Sequence, residues 1–272
     1  MTPTIIRLSG LALVASLAFP AAAFAQDVPD PANESRQSVT VSAESQDYTK
    51  GYGSLRSVKI EYRVDFADTT VTFTPTIGQR RVSGGSVTAL GADATIYHDW
   101  SDTISTRTRA FIAENQPVFA NLDFAQDVSV KLADKTVATV GARWARYFGN
   151  QDVWFVSGGL RQYFKGGSVA YRLTWVKPEN RDAFLAQLVS LTVNDGRGRG
   201  KTQLWANYGG ASFDRALDSS FTGKDYGGLV QRIQPIDKSL SLSLSAGLES
   251  YARPAGRVEG TKLGLGLQFS LD

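Results

Sequence analysis

The residues best equipped for covalent chemistry lie in one short stretch, His98, Asp99 and Ser101, and His98 is the only histidine in the chain. Nucleophilic hydrolysis needs a serine within hydrogen-bond reach of a histidine base that a third group orients. Adjacency in a turn does not supply that geometry, so a solvated turn histidine is the expected state of His98. Hydrolysis by a carboxylate pair needs two acids held a few ångströms apart, and Glu61, Asp93, Asp127 and Glu249 offer several pairings with none favoured. The GRGRG run at 196–200 lacks both the strand-to-helix setting and the Lys-Ser/Thr pair of a phosphate loop, and reads as a turn. With no cysteine there is no disulfide framework, no thiolate and no lipid-anchored cysteine. No catalytic residue, cofactor or metal site is assigned.

What remains is charge. Lys59, Arg63, Arg107, Arg109, Arg143, Arg161 and Arg172, joined by Arg80 and Lys131, fall on the polar phase of alternating segments, as do Glu61, Asp65, Asp93, Asp127 and Glu249. Nine cations thus share one phase with five anions. Lining open water, they would favour anionic solutes by focusing positive potential, and joint replacement of Arg107, Arg109 and Arg143 would weaken that preference. Paired with one another, they would instead fill an interior. The basic residues are spread along the chain and form no cluster of the kind that reads nucleic acid.

The elements that must hold these charges are strands. In SVKIEYRVDF, Val58, Ile60, Tyr62, Val64 and Phe66 share one face while Lys59, Glu61, Arg63 and Asp65 share the other. The same period of two orders Leu240 to Leu248 against serines, and Leu263 to Leu271 against Gly264, Gly266, Gln268 and Ser270. Further segments begin near Ser86, Thr103, Leu122, Thr136, Val153, Ser168, Phe184, Lys201 and Asp225, with Thr69 to Val82 preceding them and a faint one near Ser38 to Glu44. Fourteen strands result, or twelve if the faint segment and one other are discounted.

Charges on a lipid-facing strand position cost about 2–4 kcal/mol each at the bilayer midplane, so a membrane barrel must point them inward. The reading is therefore all-β: a transmembrane antiparallel up-and-down β-barrel of about 14 strands. A secreted β-sandwich would also use aromatic residues, but this strand number and these charged opposite faces fit it poorly. Turn lengths agree with the barrel. Connections such as Ala67-Asp68, Ala133-Asp134-Lys135, Lys165-Gly166-Gly167 and Ile236-Asp237-Lys238 are short and fall on one end. The opposite end takes NQPVFAN at 115–121, KPENRDAF at 177–184 and the stretch 211–223, along with two short members at 83–85 and 149–152, so the length rule holds as a tendency. Aromatic residues gather near strand ends as interfacial girdles would: Tyr97 and Trp100, Tyr147 and Phe148, Trp154 and Phe155, Tyr163 and Phe164, Trp175 and Tyr251.

Export is written at the N-terminus. Arg7, an apolar run from Leu8 to Phe19, and Ala23-Phe24-Ala25 have the form of a secretory leader cleaved after Ala25. Residues 1–25 are then the leader, 26–37 a periplasmic linker and 38–272 the barrel. The formal charge falls from +3 to +2 on losing Arg7, close to neutral. The destination is the outer membrane, with both chain ends in the periplasm.

Three stretches, YTKGYGSLRSVKIEYRVDF, RRVSGGSVTALGADATIYHDW and YFGNQDVWFVSGGLRQYFKGGSVAYRLTWV, together with the terminal strand, resemble the YaiO-type outer-membrane β-barrel proteins. The resemblance spans about residue 39 to the end. It implies fold and location; the family carries no firmly assigned activity. Outer-membrane barrels typically end on an aromatic residue read by the assembly machinery, whereas here Phe269 is followed by Ser270, Leu271 and Asp272. Phe269 keeps the correct face, so partnership with that machinery through the last strand is expected. The other expected partners are outer-membrane lipid and a saccharide or anionic solute, with no nucleic acid. A porin-like channel for small or saccharide-type solutes is the leading functional expectation. A structural or surface-interaction barrel and a lipid- or glycan-modifying enzyme are the alternatives.

Overall fold

A computed structural model of the protein describes residues 36–82, 84–196, 200–209, 225–252 and 256–271. The expected leader, the expected linker up to residue 35, positions 197–199 of the GRGRG turn and the stretch 211–223 lie outside the described residues. The strands are β1 (Arg36–Tyr48), β2 (Ser54–Asp65), β3 (Thr69–Val82), β4 (Gly85–Asp99), β5 (Ile104–Ala113), β6 (Leu122–Ala133) and β7 (Thr136–Tyr147). They continue as β8 (Gln151–Phe164), β9 (Gly167–Pro178), β10 (Phe184–Asn194), β11 (Lys201–Tyr208), β12 (Tyr226–Pro235), β13 (Leu240–Tyr251) and β14 (Val258–Ser270). Each pairs antiparallel with its sequence neighbours, and β1 closes on β14 from Ser38↔Ser270 to Tyr48↔Gly260. Fourteen strands, not twelve, make the barrel.

The faint first segment is a full strand of 13 residues, hydrogen-bonded on both sides. Its faintness has a physical cause. Only Val39, Val41 and Ala43 mark the outward phase before Ser45 and Asp47 take it over near the strand end. Its inward phase, Ser38, Thr40, Ser42 and Glu44, is short and polar.

Exposure in this molecule is inverted relative to a water-soluble domain. Ile60, Phe73, Leu90, Ile112, Phe124, Val140, Leu160, Leu185, Leu248 and Leu263 are each 47–67% exposed and point away from the barrel axis. Thr72, Arg80, Thr95, Asp123, Asp127, Ser129 and Gln203 are buried inside it. A continuous apolar exterior of this extent is stable only against lipid. At a rise of about 3.3 Å per residue and a tilt near 40°, strands of 12 or 13 residues cross an apolar band of about 25 Å with margin at both ends.

One end carries both ends of the barrel chain and the short turns, and is called the terminal end; the other carries the longer connections. Asp237 shows how a short turn is fixed. Its Oδ1 accepts hydrogen bonds from the backbone amides of Ser239 (2.7 Å) and Leu240 (2.8 Å), an Asx turn that reverses the chain between β12 and β13. Gly149 and Asn150, both with positive φ, turn β7 into β8 at the opposite end.

Candidate functional site in the lumen

Inside the barrel lies a cavity of about 490 Å³ lined by both kinds of wall. Along β1, β13 and β14 the lining is mostly small, Thr40, Ser42, Ser243, Ser245 and Gly264, with Glu44 and Leu265 the larger members. Across from it, β4 to β9 present acids and arginines that interlock. Asp93 accepts a hydrogen bond from Arg109, which also reaches Asp123 at 3.1 Å, and Arg143 closes on Asp123 with two bonds of 2.8 and 2.5 Å. Asp127 is held by Arg107 at 2.7 Å and Arg172 at 2.8 Å. A fourth acid, Glu44, sits between Lys59 at 3.6 Å and Lys262 at 3.4 Å. Three acids are thus each bracketed by two cations, which leaves the network cation-rich while fixing every member in place.

Two glycines open the floor for this ladder. Asp127 lies opposite Gly141 in the β6–β7 register, and a Cβ at Gly141 would stand 1.8 Å from the Asp127 carboxylate oxygen. Gly159 faces Arg172 across β8–β9, where a Cβ would meet the Tyr171 carbonyl at 2.8 Å. Bare backbone at both points lets side chains lie flat against the wall.

The connection between β5 and β6 does not stand clear of the barrel. Residues 114–116 are exposed, but Val118 is fully buried, with Ala120 and Asn121 nearly so. Val118 packs on Leu55 and Ala89 of β2 and β4, while Ala120 packs on Ala145, Tyr147, Val153, Val176 and Ala186 of β7 to β10. The ring of Phe119 lies over Gly78 of β3, where a Cβ would come within 2.3 Å of it, and meets Phe111 edge-on at 6.0 Å. Phe119 lines the cavity.

The model of the YaiO membrane beta barrel domain matches residues 36–213, which is β1 through β11. The chain belongs to the YaiO family. Among solved structures, this YaiO barrel is similar to CymD, a monoaromatic hydrocarbon channel, with a TM-score of 0.61 at 5% identity, over 87% of this chain and 88% of that one. It is also similar to a bacterial polysaccharide outer membrane secretin, with a TM-score of 0.54 at 10% identity, over 89% of this chain and 100% of that one. At such identities the likeness is one of fold.

Of the cations singled out in the sequence, the YaiO barrel brings Lys59, Arg63, Arg107, Arg109, Arg143 and Arg172 to the cavity. Arg161 shares the inward phase and donates to Ser168 Oγ at 3.0 Å. Arg63 turns to Asp65, at 2.7 Å, and Lys131 to Asp134, at 3.8 Å. Sequence reading missed Asp123, Glu44, Lys201 and Lys262. Asp123 was within reach, because it precedes Asp127 by four residues on the same inward phase of β6.

Two expectations need correction. His98 ends a strand rather than occupying a turn: its Nδ1 lies 2.8 Å from Thr69 Oγ1 and its ring meets Trp100 edge-on at 4.4 Å. Ser101 Oγ is engaged by Thr103 and the amide of Ile104, so the three residues form no triad. The aromatic pairs are not all girdle. Trp100, Phe148, Trp154, Phe164 and Trp175 face outward, 42–66% exposed. Tyr147 and Tyr251 are buried, and Tyr97, Phe155 and Tyr163 take the inward phase. Neighbours on a strand point to opposite faces, so an adjacent aromatic pair splits one in, one out.

Proposed function

We propose that the protein is an outer-membrane channel that passes small polar solutes with a preference for anions, saccharide acids included. The observation that carries this reading is the cavity of about 490 Å³ inside a closed barrel, lined by more cations than acids. A water-lined wall of that sign concentrates anions and repels cations. Hydroxyl groups along β1 and β13 offer hydrogen bonds to sugar-like solutes without a fixed charge. The chain is exported by its leader, inserts with the terminal end in the periplasm, and presents the longer connections outside the cell.

The ladder arginines are poor reporters of selectivity, since each serves an acid. Lys201 is the better one: it lines the cavity and has no carboxylate within ion-pair distance among the described residues. Purified barrel in planar bilayers under a salt gradient tests the reading. The expected result is discrete conductance with an anion-selective reversal potential that moves toward zero in Lys201→Gln. Folded wild-type protein and pore-widened variants that both pass no current would overturn it.

A further inference from the structure

We propose that the buried segment 117–121 is the size filter of the lumen, with Phe119 setting the aperture. The inference rests on the channel reading above and names the residue that limits what that channel admits.

A connection that merely joined two strands would lie over the rim with its polar side chains in water. Here the apolar members of NQPVFAN turn inward, and the barrel wall has been cleared to receive them. Gly78 leaves room for the Phe119 ring and the Val118 methyl group. Gly91 does the same for Phe111, whose ring would meet a Cβ there at 2.8 Å. Ala89, without exposed surface, completes the seat. The segment's contacts run from β2 on one side to β10 on the other, with Tyr48 at the end of β1 packed against the same cluster, so it covers that arc and leaves the wall of β13 and β14 uncovered.

Both ends of the segment are tied down. Glu114 exchanges backbone and side-chain bonds with Leu90, at 3.0 and 2.9 Å. The Asn121 amide donates to the Arg146 carbonyl at 2.7 Å, and the Asn121 carbonyl accepts from Ala113 at 2.9 Å. Two residues further on, Asp123 is gripped by Arg109 and Arg143. The path proposed past Phe119 runs along the opposite wall, where Ser243, Ser245 and Gly264 keep the lining short.

Two substitutions should move the aperture in opposite directions. Phe119→Ala removes the ring and should raise single-channel conductance roughly twofold, since current follows the open cross-section at the narrowest point. It should also admit larger neutral polyethylene glycols. Gly78→Ala pushes the ring off its seat into the lumen and should lower conductance, an effect that shrinks in the Phe119→Ala background. Phe124→Ala, outward on β6, serves as the control and should change nothing. Heat-modifiable mobility on gels confirms that each variant is a folded barrel before it is scored. Conductance in wild type that is unchanged by Phe119→Ala overturns the filter and leaves the channel reading standing. Current only in Phe119→Ala supports a filter tight enough to close the lumen. Silence in all folded variants overturns both.

Discussion

Replacing Gly141 by alanine adds one methyl group, yet the structure makes it a severe change. The new Cβ would fall 1.8 Å from Asp127 Oδ1, 3.0 Å from its Cγ and 3.2 Å from the Gln126 carbonyl. Asp127 cannot simply swing aside. Oδ1 accepts from Arg172 and Oδ2 from Arg107, and all three side chains are at least four-fifths buried. Hydrogen bonds to charged groups contribute about 1.5–3 kcal/mol each, and breaking a buried pair costs about 3–5 kcal/mol. Losing glycine's excess unfolded-state freedom returns about 0.5–1 kcal/mol. Net destabilisation of about 2–4 kcal/mol follows. Urea unfolding from lipid vesicles, followed by tryptophan fluorescence, measures it. Gly158→Ala is the matched control, because nothing lies within 4 Å of a Cβ there, and it should leave stability unchanged or slightly higher. In an Asp127→Ala background, Gly141→Ala should cost little. A loss below about 1 kcal/mol for the single change, or full additivity with Asp127→Ala, would refute the account of the ladder.

Asp123→Ala should destabilise by about 3 kcal/mol, because the buried Arg143 would lose its carboxylate partner while Arg109 would keep only Asp93; the same unfolding assay reads it, and a smaller loss for Asp123→Asn would locate the effect in charge. Single-tryptophan variants retaining Trp100, Trp154 or Trp175 should be quenched by brominated lipid, whereas one retaining the inward-phase Trp205 should not. The Asp195 carboxyl, in the turn after β10, is held below the usual carboxylate range by its hydrogen bond from Arg232. The stabilisation it brings is present above the ordinary carboxylate pKa and disappears as pH falls through the depressed one. Carbon-detected NMR titration should show its midpoint rising in Arg232→Gln.

Strand positions and faces were legible because period-two alternation is written residue by residue, and insertion in lipid forces the apolar phase outward. Thr69–Val82 and Phe184–Asn194 are strands over the same bounds in sequence and structure. What one strand's alternation does not contain is the pairing between strands. Asp127 opposite Gly141 follows from register, which the hairpin turns set, and the bridge from Arg172 crosses two intervening strands. The inward fold of 117–121 was concealed for a related reason. Its signal, the apolar Pro117-Val118-Phe119-Ala120 run, needed the complementary gap at Gly78, about forty residues earlier, before it pointed anywhere.

The pattern of two cations to one acid decides how the lumen can carry charge. Had each arginine its own aspartate, the wall would be neutral and its pairs could part to follow a passing ion. Here Asp123, Asp127 and Glu44 each hold two cations, with Arg109 shared between Asp123 and Asp93, so removing one of these acids leaves its cations short of counter-charge, and the arrangement resists opening. The surplus positive charge is consequently fixed in space. In the proposed channel a solute would meet a preset field and would not have to break an ion pair to be recognised, which suits weak, rapid passage better than tight binding. In that reading the narrowing would fall to a group that carries no charge, the role proposed for Phe119 on its glycine seat.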